Sequence, residues 1–444
     1  MNTKALLLAT AFGLATSLQG ANWPNWRGPN HDGSTDAASL PAKFSKTQNV
    51  KWTASLPGPS AGTPIVWEDK VFVSSIGKKD GSLLALCLDR KSGKTLWQDK
   101  AGSGYQPGGD GQSWRLDSRS DYASPSPVTD GKTVIFFYGN GDLVAYDLDG
   151  KSKWARNLQK DYGDFTFQWT FSSSPTLYDG RLYMQILQRD EPVHGRGKQG
   201  NESFLLALAP DTGKVLWKIN RPSKANKESL ESFATPIPFE GAGRKELVIV
   251  GGDVLTGHDP ATGKELWRWG TWNPNHREQW WRLVPSPVIG GGVILACGPK
   301  KAPVFAAKAG LKGTHSGEKG QVWNSGPNSV VTTDVPTPLY YKGKFFVLSD
   351  LRKAMSRVDP ATGKIEWTVE MPGKYKWRGS PTAGDGKIYV MNHNGEVVVM
   401  DPANGKILHQ TAMGEKYDDN TRSSIAIADS QIFIRTNEKL YCVQ

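Results

Sequence analysis

Three cysteines in 444 residues cannot build a disulfide framework. Cys87 and Cys442 fall at the same repeat position in neighbouring units, too far apart to bridge, so buried thiols are expected. Histidine is scarce too: the seven are scattered, and none shows H-E-x-x-H or another metal-ligand spacing. No G-x-S-x-G elbow occurs. Gly195 to Gly200 matches G-x-G-x-x-G, but no strand and helix flank it, so it reads as a loop. Gly93-Lys94-Thr95 resembles the end of a phosphate-binding loop, yet Leu88 stands where the first glycine belongs. Long apolar runs are missing as well. Ala5 to Leu14 is too short to span a bilayer, and no later segment is long enough.

That N-terminal run has another reading. Lys4 precedes it and small residues follow at Ala15, Ser17, Gly20 and Ala21, which is the pattern of a secretory signal peptide over residues 1–20, cut within Ser17–Ala21. No cysteine lies near the cut, so the mature protein is expected in the periplasm or secreted, and not as a lipoprotein. Residues 21–48 form a Trp-rich arm, in which Trp23 and Trp26 should anchor an extended strap. The net charge is +11, which favours acidic polymers or protein surfaces. Nucleic acid is not expected for an exported chain, and a monomer is.

The chain is rich in 49 Gly, 28 Pro and 17 Trp. Much of this richness repeats. Asp259 to Trp267 reads DPATGKELW and Asp359 to Trp367 reads DPATGKIEW. Looser copies end at Trp97, Trp154, Trp217 and His409, and Trp323 marks a degraded copy with an insertion before it. A period of roughly 40–50 residues signals a repeat architecture. Each unit opens on Ser/Thr-Pro: Thr63, Ser126, Ser174, Thr235, Ser286, Thr337 and Ser380. A hairpin turn such as Asp130-Gly131, a strand, a third strand and the Asp-x-x-x-Gly-Lys turn follow, before the strand that carries the Trp. Four short antiparallel strands per unit make a propeller blade. Each Trp should pack between neighbouring blades with its indole N–H on a backbone carbonyl. The fold expected is all-β: about eight blades over residues 49–444, closed by pairing Val50-Lys51-Trp52-Thr53 with the three C-terminal strands.

The Asp-x-x-x-Gly-Lys-x-x-Trp repeat resembles the tryptophan-docking repeat of the pyrroloquinoline-quinone (PQQ) type β-propellers. That superfamily holds quinoprotein alcohol dehydrogenases and non-enzymatic members, including the propeller lipoprotein of the outer-membrane β-barrel assembly machine. The resemblance implies two functions. One is a non-enzymatic exported module that binds a protein partner or acidic ligand, with no cofactor. The other is a PQQ-dependent alcohol or aldose dehydrogenase holding PQQ with Ca²⁺. The dehydrogenases carry an adjacent cysteine pair over the cofactor, which this chain lacks, and no metal-ligand set matches theirs.

The frame places a site. Residues just before each Ser/Thr-Pro should converge on the mouth of the central channel. Around the ring these are Arg119, Asp121, Trp169, Phe233, Arg282, Asp334, Arg378 and Arg422, with the four arginines at equivalent positions. Arginine forks beside stacking rings suit carboxylate, sulfate, phosphate or uronic-acid groups, the last as on an acidic polysaccharide. No catalytic or metal-binding residue is expected.

Overall fold

Every unit of the repeat begins with a hydroxyl-bearing residue, and the structure shows what the hydroxyls do. In the computed structural model, which describes residues 22–104, 121–241, 243–270, 272–416, 418 and 420–444, they form a closed ring. The Thr63 amide donates to Ser126 Oγ (2.9 Å), Ser126 to Ser174 (3.0 Å), Ser174 to Thr235 (3.1 Å) and Thr235 to Ser286 (2.8 Å). Ser286 donates to Thr337 (2.9 Å), Thr337 to Ser380 (3.0 Å), Ser380 to Ser424 (3.2 Å), and Ser424 returns to Thr63 (3.1 Å). The eighth member, Ser424, precedes Ile425 and not a proline, which hid it from the Ser/Thr-Pro pattern.

Around this ring stand eight antiparallel sheets. Blade 1 consists of Ile65–Trp67, Lys70–Ile76, Leu83–Asp89 and Thr95–Gly102, running from the channel outwards. The inner three strands are almost wholly buried, whereas the fourth is mostly exposed. Blade 8 takes three strands, Ala426–Ala428, Gln431–Arg435 and Lys439–Val443, from one end of the chain and Val50–Ser55 from the other. Trp52 opposes Cys442 across that join, as Trp97 opposes Cys87 in blade 1. All three cysteines are buried free thiols. Among the described residues no helix is long and apolar enough to cross a membrane. Residues 1–20 lie outside the described residues.

The tryptophans join blade to blade. The indole N–H groups of Trp52, Trp97, Trp154, Trp217, Trp323 and Trp367 reach the backbone carbonyls of Arg90, Leu148, Pro210, Pro260, Pro360 and Pro402 in the following blade. The turn glycine of that blade lies under the ring. Gly93, Gly150, Gly213, Gly263, Gly363 and Gly405 have positive φ, and a Cβ on Gly213 would come within 2.7 Å of Trp154. The motif therefore repeats as a pair: the Trp of one unit is complementary to the Gly-Lys turn of the next.

Blade 4 departs from this rule and corrects the expectation for Trp267. The residue opposite it is Gly257, which has no side chain to hold the indole outwards. Trp267 folds into its own blade and donates to the Glu246 carboxylate. Trp269 takes over the outward role and donates to Gly317 O (3.1 Å). Gly317 belongs to the insertion in blade 5, where Gly313–Ser316 turns back and pairs parallel to the outer strand of blade 4 as a fifth strand.

Turn glycines with and without an overlying Trp allow a test of docking. Gly213 and Gly180 share positive φ, +68° and +71°, but nothing lies within 4 Å of a Cβ at Gly180. Gly180→Ala should cost only backbone strain, on the order of 1–2 kcal/mol. Gly213→Ala should cost roughly 1–3 kcal/mol more from overpacking against Trp154. Urea unfolding midpoints decide the matter, and equal losses would show that the Trp–Gly contact contributes nothing.

Candidate functional site

The residue two before each ring hydroxyl faces a cavity at the channel mouth of about 180 Å³. All eight of these positions line it: Ala61, Ser124, Ser172, Phe233, Val284, Val335, Arg378 and Arg422. The wall thus has three arcs. Blades 1–3 give small and hydroxyl side chains, blades 4–6 give apolar ones, and blades 7 and 8 give two guanidinium groups. Arg282 and Trp169 also reach the cavity, from four and five residues before their ring hydroxyls. The arginines are therefore not equivalent, because only Arg378 and Arg422 share the −2 position.

Of the expected site residues, Trp169, Phe233, Arg282, Arg378 and Arg422 come together here. Asp121 and Asp334 do not line the cavity. Asp334 stands behind Arg282 and accepts both of its terminal nitrogens, at 2.9 and 3.0 Å. Arg119 lies outside the described residues.

Asp350, on the loop after Lys344–Ser349, is the residue that the sequence did not announce. Its buried carboxylate accepts from Arg378 Nε (2.9 Å) and from the Asp334 amide (3.0 Å). Two Arg–Asp pairs are thereby linked through one backbone amide. Arg282 spends its fork on Asp334. Arg378 spends only Nε, and its terminal nitrogens have no protein partner among the described residues. Burial raises the Asp350 pKa, with the Arg378 charge opposing. Burial also pushes Asp334 upward, but hydrogen bonds and charge from Arg282 outweigh it and hold the carboxyl below its ordinary range.

The aromatic wall is braced from behind. The Trp169 indole donates to Glu228 (3.1 Å), and the Gln168 amide donates to Glu231 (2.9 Å). Glu231 is buried against Arg189, and burial still lifts its pKa to about 8. Phe167 packs on Phe233 with ring centroids 5.4 Å apart.

The Trp-rich arm supplies a further wall. Trp23 pairs with Val66 of blade 1, and Pro24 O accepts from the Thr129 amide of blade 2. Arg27 is buried and donates to Pro338 O of blade 6 (2.9 Å) and Pro381 O of blade 7 (3.1 Å). Between these anchors Trp26, half-buried, lines the same cavity as the mouth residues. Gly33, at φ +90°, lets the backbone lie against the Arg27 guanidinium, where a Cβ would sit 2.0 Å from Nη2. The arm thus crosses the channel as well as lying on the propeller.

A family model described as outer membrane protein assembly factor BamB matches residues 38–164, 103–314 and 316–444. Polyvinylalcohol dehydrogenase from Pseudomonas sp is 26% identical over 175 residues, 38% of this chain. That match spans 24% of the relative's own length. Among solved structures, BamB from Moraxella catarrhalis superposes with a TM-score of 0.60 at 12% identity, covering 89% of this chain and 99% of the other. A europium-containing methanol dehydrogenase gives 0.65 at 10% identity, covering 96% and 98%. Such identities show a shared fold alone.

Two measurements probe the charges. Asp334→Asn removes one partner of a buried pair and should cost about 3–5 kcal/mol. Glu265→Gln does the same to the more exposed Arg268–Glu265 pair and should cost about 1 kcal/mol or less. Equal losses would place Asp334 among ordinary surface pairs. The second concerns Asp121, whose pKa burial raises from 3.8 to about 6 against the pull of Arg435. Between those values the folded state holds a proton that the unfolded chain has released, so stability falls as pH rises from 3.8 to about 6. Asp121→Asn should flatten that part of the profile of urea midpoint against pH. An unchanged slope would assign it to other groups.

Proposed function

We propose a binding role for this chain, which belongs to the family described as outer membrane protein assembly factor BamB: a non-enzymatic, exported propeller that takes the anionic group of a ligand or partner at its channel mouth. The observation that carries this reading is Arg378. A buried carboxylate fixes its Nε, while its terminal nitrogens stand at a cavity with no protein acceptor among the described residues. A guanidinium held that way has its rotamer set before a ligand arrives, and it presents a two-toothed donor to a carboxylate or sulfate. Arg422 adds a second guanidinium in the neighbouring blade. An acidic polysaccharide or an acidic side chain of a protein partner offers such a group. The signal-like N-terminus supports export to the periplasm or beyond.

The partial likeness to polyvinylalcohol dehydrogenase supports the quinoprotein alternative. The residues do not fit it. Among the described residues no three His, Cys, Asp or Glu side chains could hold a metal ion together. Asp334 and Asp350, the carboxylates behind the mouth, are already paired with Arg282 and Arg378. The buried cysteines stand in three different blades, 1, 5 and 8. No quinone step is derived for this chain.

The test keeps the charge and removes the fork. Arg378→Lys preserves an ion pair with Asp350 but cannot bind an anion bidentately. A charge-assisted contact contributes roughly 1.5–3 kcal/mol, so the variant should bind acetate, sulfate and galacturonate about 10- to 100-fold more weakly in calorimetric titrations. Its melting temperature should stay near that of the wild type. Binding that is undiminished in the variant, or absent from the wild-type protein, would sink the reading.

A further inference from the structure

The cavity is sorted by chemistry as well as charged, and this narrows its ligand; the inference rests on the anion-binding reading above. In an eight-membered ring, blade 8 stands opposite blade 4. Arg422 therefore faces Phe233 across the channel, and Arg378 is flanked by Val335 on one side and Arg422 on the other. The apolar arc of Phe233, Val284 and Val335 is continuous, and Phe167 packs behind Phe233, itself edge-to-face with Phe171. A purely ionic ligand such as sulfate would leave this arc uncovered. A sugar acid would set its hydroxyl groups against Ser124 and Ser172 on one side but would still leave polar groups facing the apolar arc on the other.

Size supplies the second constraint. A dry cavity of about 150 Å³ accommodates benzene. This one, at about 180 Å³, has space for a single ring with one small charged substituent. Trp26 of the arm lines the same space and offers a further ring face. Aromatic rings pair favourably with Phe and Trp in edge-to-face or offset arrangements, beyond the area they bury.

We propose that the channel mouth binds a single-ring aromatic carboxylate, with its carboxylate on Arg378 and Arg422 and its ring against Phe233, Val284 and Val335. Benzoate is the probe. Full-length protein is titrated with benzoate, cyclohexanecarboxylate, acetate and sulfate by calorimetry. Benzoate should bind at least tenfold more tightly than acetate and more tightly than cyclohexanecarboxylate. Val335→Phe, which fills the apolar arc, should abolish the preference for benzoate over acetate. Arg378→Lys should weaken both anions. If sulfate or acetate binds as tightly as benzoate, the aromatic assignment is wrong and the anion site stands. If no anion binds, both readings fall. Benzoate binding that survives both substitutions places it elsewhere and overturns the proposal.

Discussion

The closed circuit of eight hydroxyl–amide hydrogen bonds is the constraint on which the rest of this structure depends. Neighbouring blades form separate sheets, and the amide that opens each inner strand takes its acceptor from the next blade. A Ser or Thr side chain from the next blade is short enough to provide it. Proline after the hydroxyl residue holds that residue extended and removes the next N–H, which would otherwise be a donor without an acceptor in the channel wall. Once the circuit closes, the residue two positions earlier is fixed at the mouth in every blade. Binding residues are thereby placed by the same bonds that align the blades.

Outside that circuit, the blades are joined by tryptophan over glycine. Gly257 shows how local that rule is. With no side chain opposite Trp267, the indole turns inwards to Glu246, and Trp269 does the docking instead. The insertion in blade 5 compensates by bringing Gly317 and Gly320 beneath Trp269. His409 keeps a reduced version, with its ring nitrogen against the Phe44 backbone of the arm.

The fold was legible because its signals are local and repeated. Gly-Lys turns, Ser/Thr-Pro starts and alternating strands can be read without knowing what lies across the channel. Blade count and closure by Val50–Ser55 followed from them. The site was only half legible. Converging loops are a property of the frame, so Trp169, Phe233, Arg282, Arg378 and Arg422 could be gathered from sequence. Arginine alone carries no frame offset: Arg282 enters the cavity four residues before its ring hydroxyl and Arg378 two. Asp350 was not marked because a carboxylate at a strand end is ordinary until its partner is known. Nothing local to NWPNWRGP says that Trp26 crosses the channel.

The arm has a kinetic consequence. Arg27 hydrogen-bonds to Pro338 and Pro381, more than 300 residues away, and Trp52 pairs opposite Cys442. Contacts of such long sequence separation form late, because a long loop must be closed before they stabilise anything. Within the arm, Trp23 and Pro24 can dock on blades 1 and 2 early, whereas Arg27 and Val50–Ser55 must wait for the C-terminal blades. Blades 1 to 7 are each built from one stretch of chain, and only the eighth joins the two ends of the chain. Closure of the ring is therefore the step that needs both ends of the chain at once.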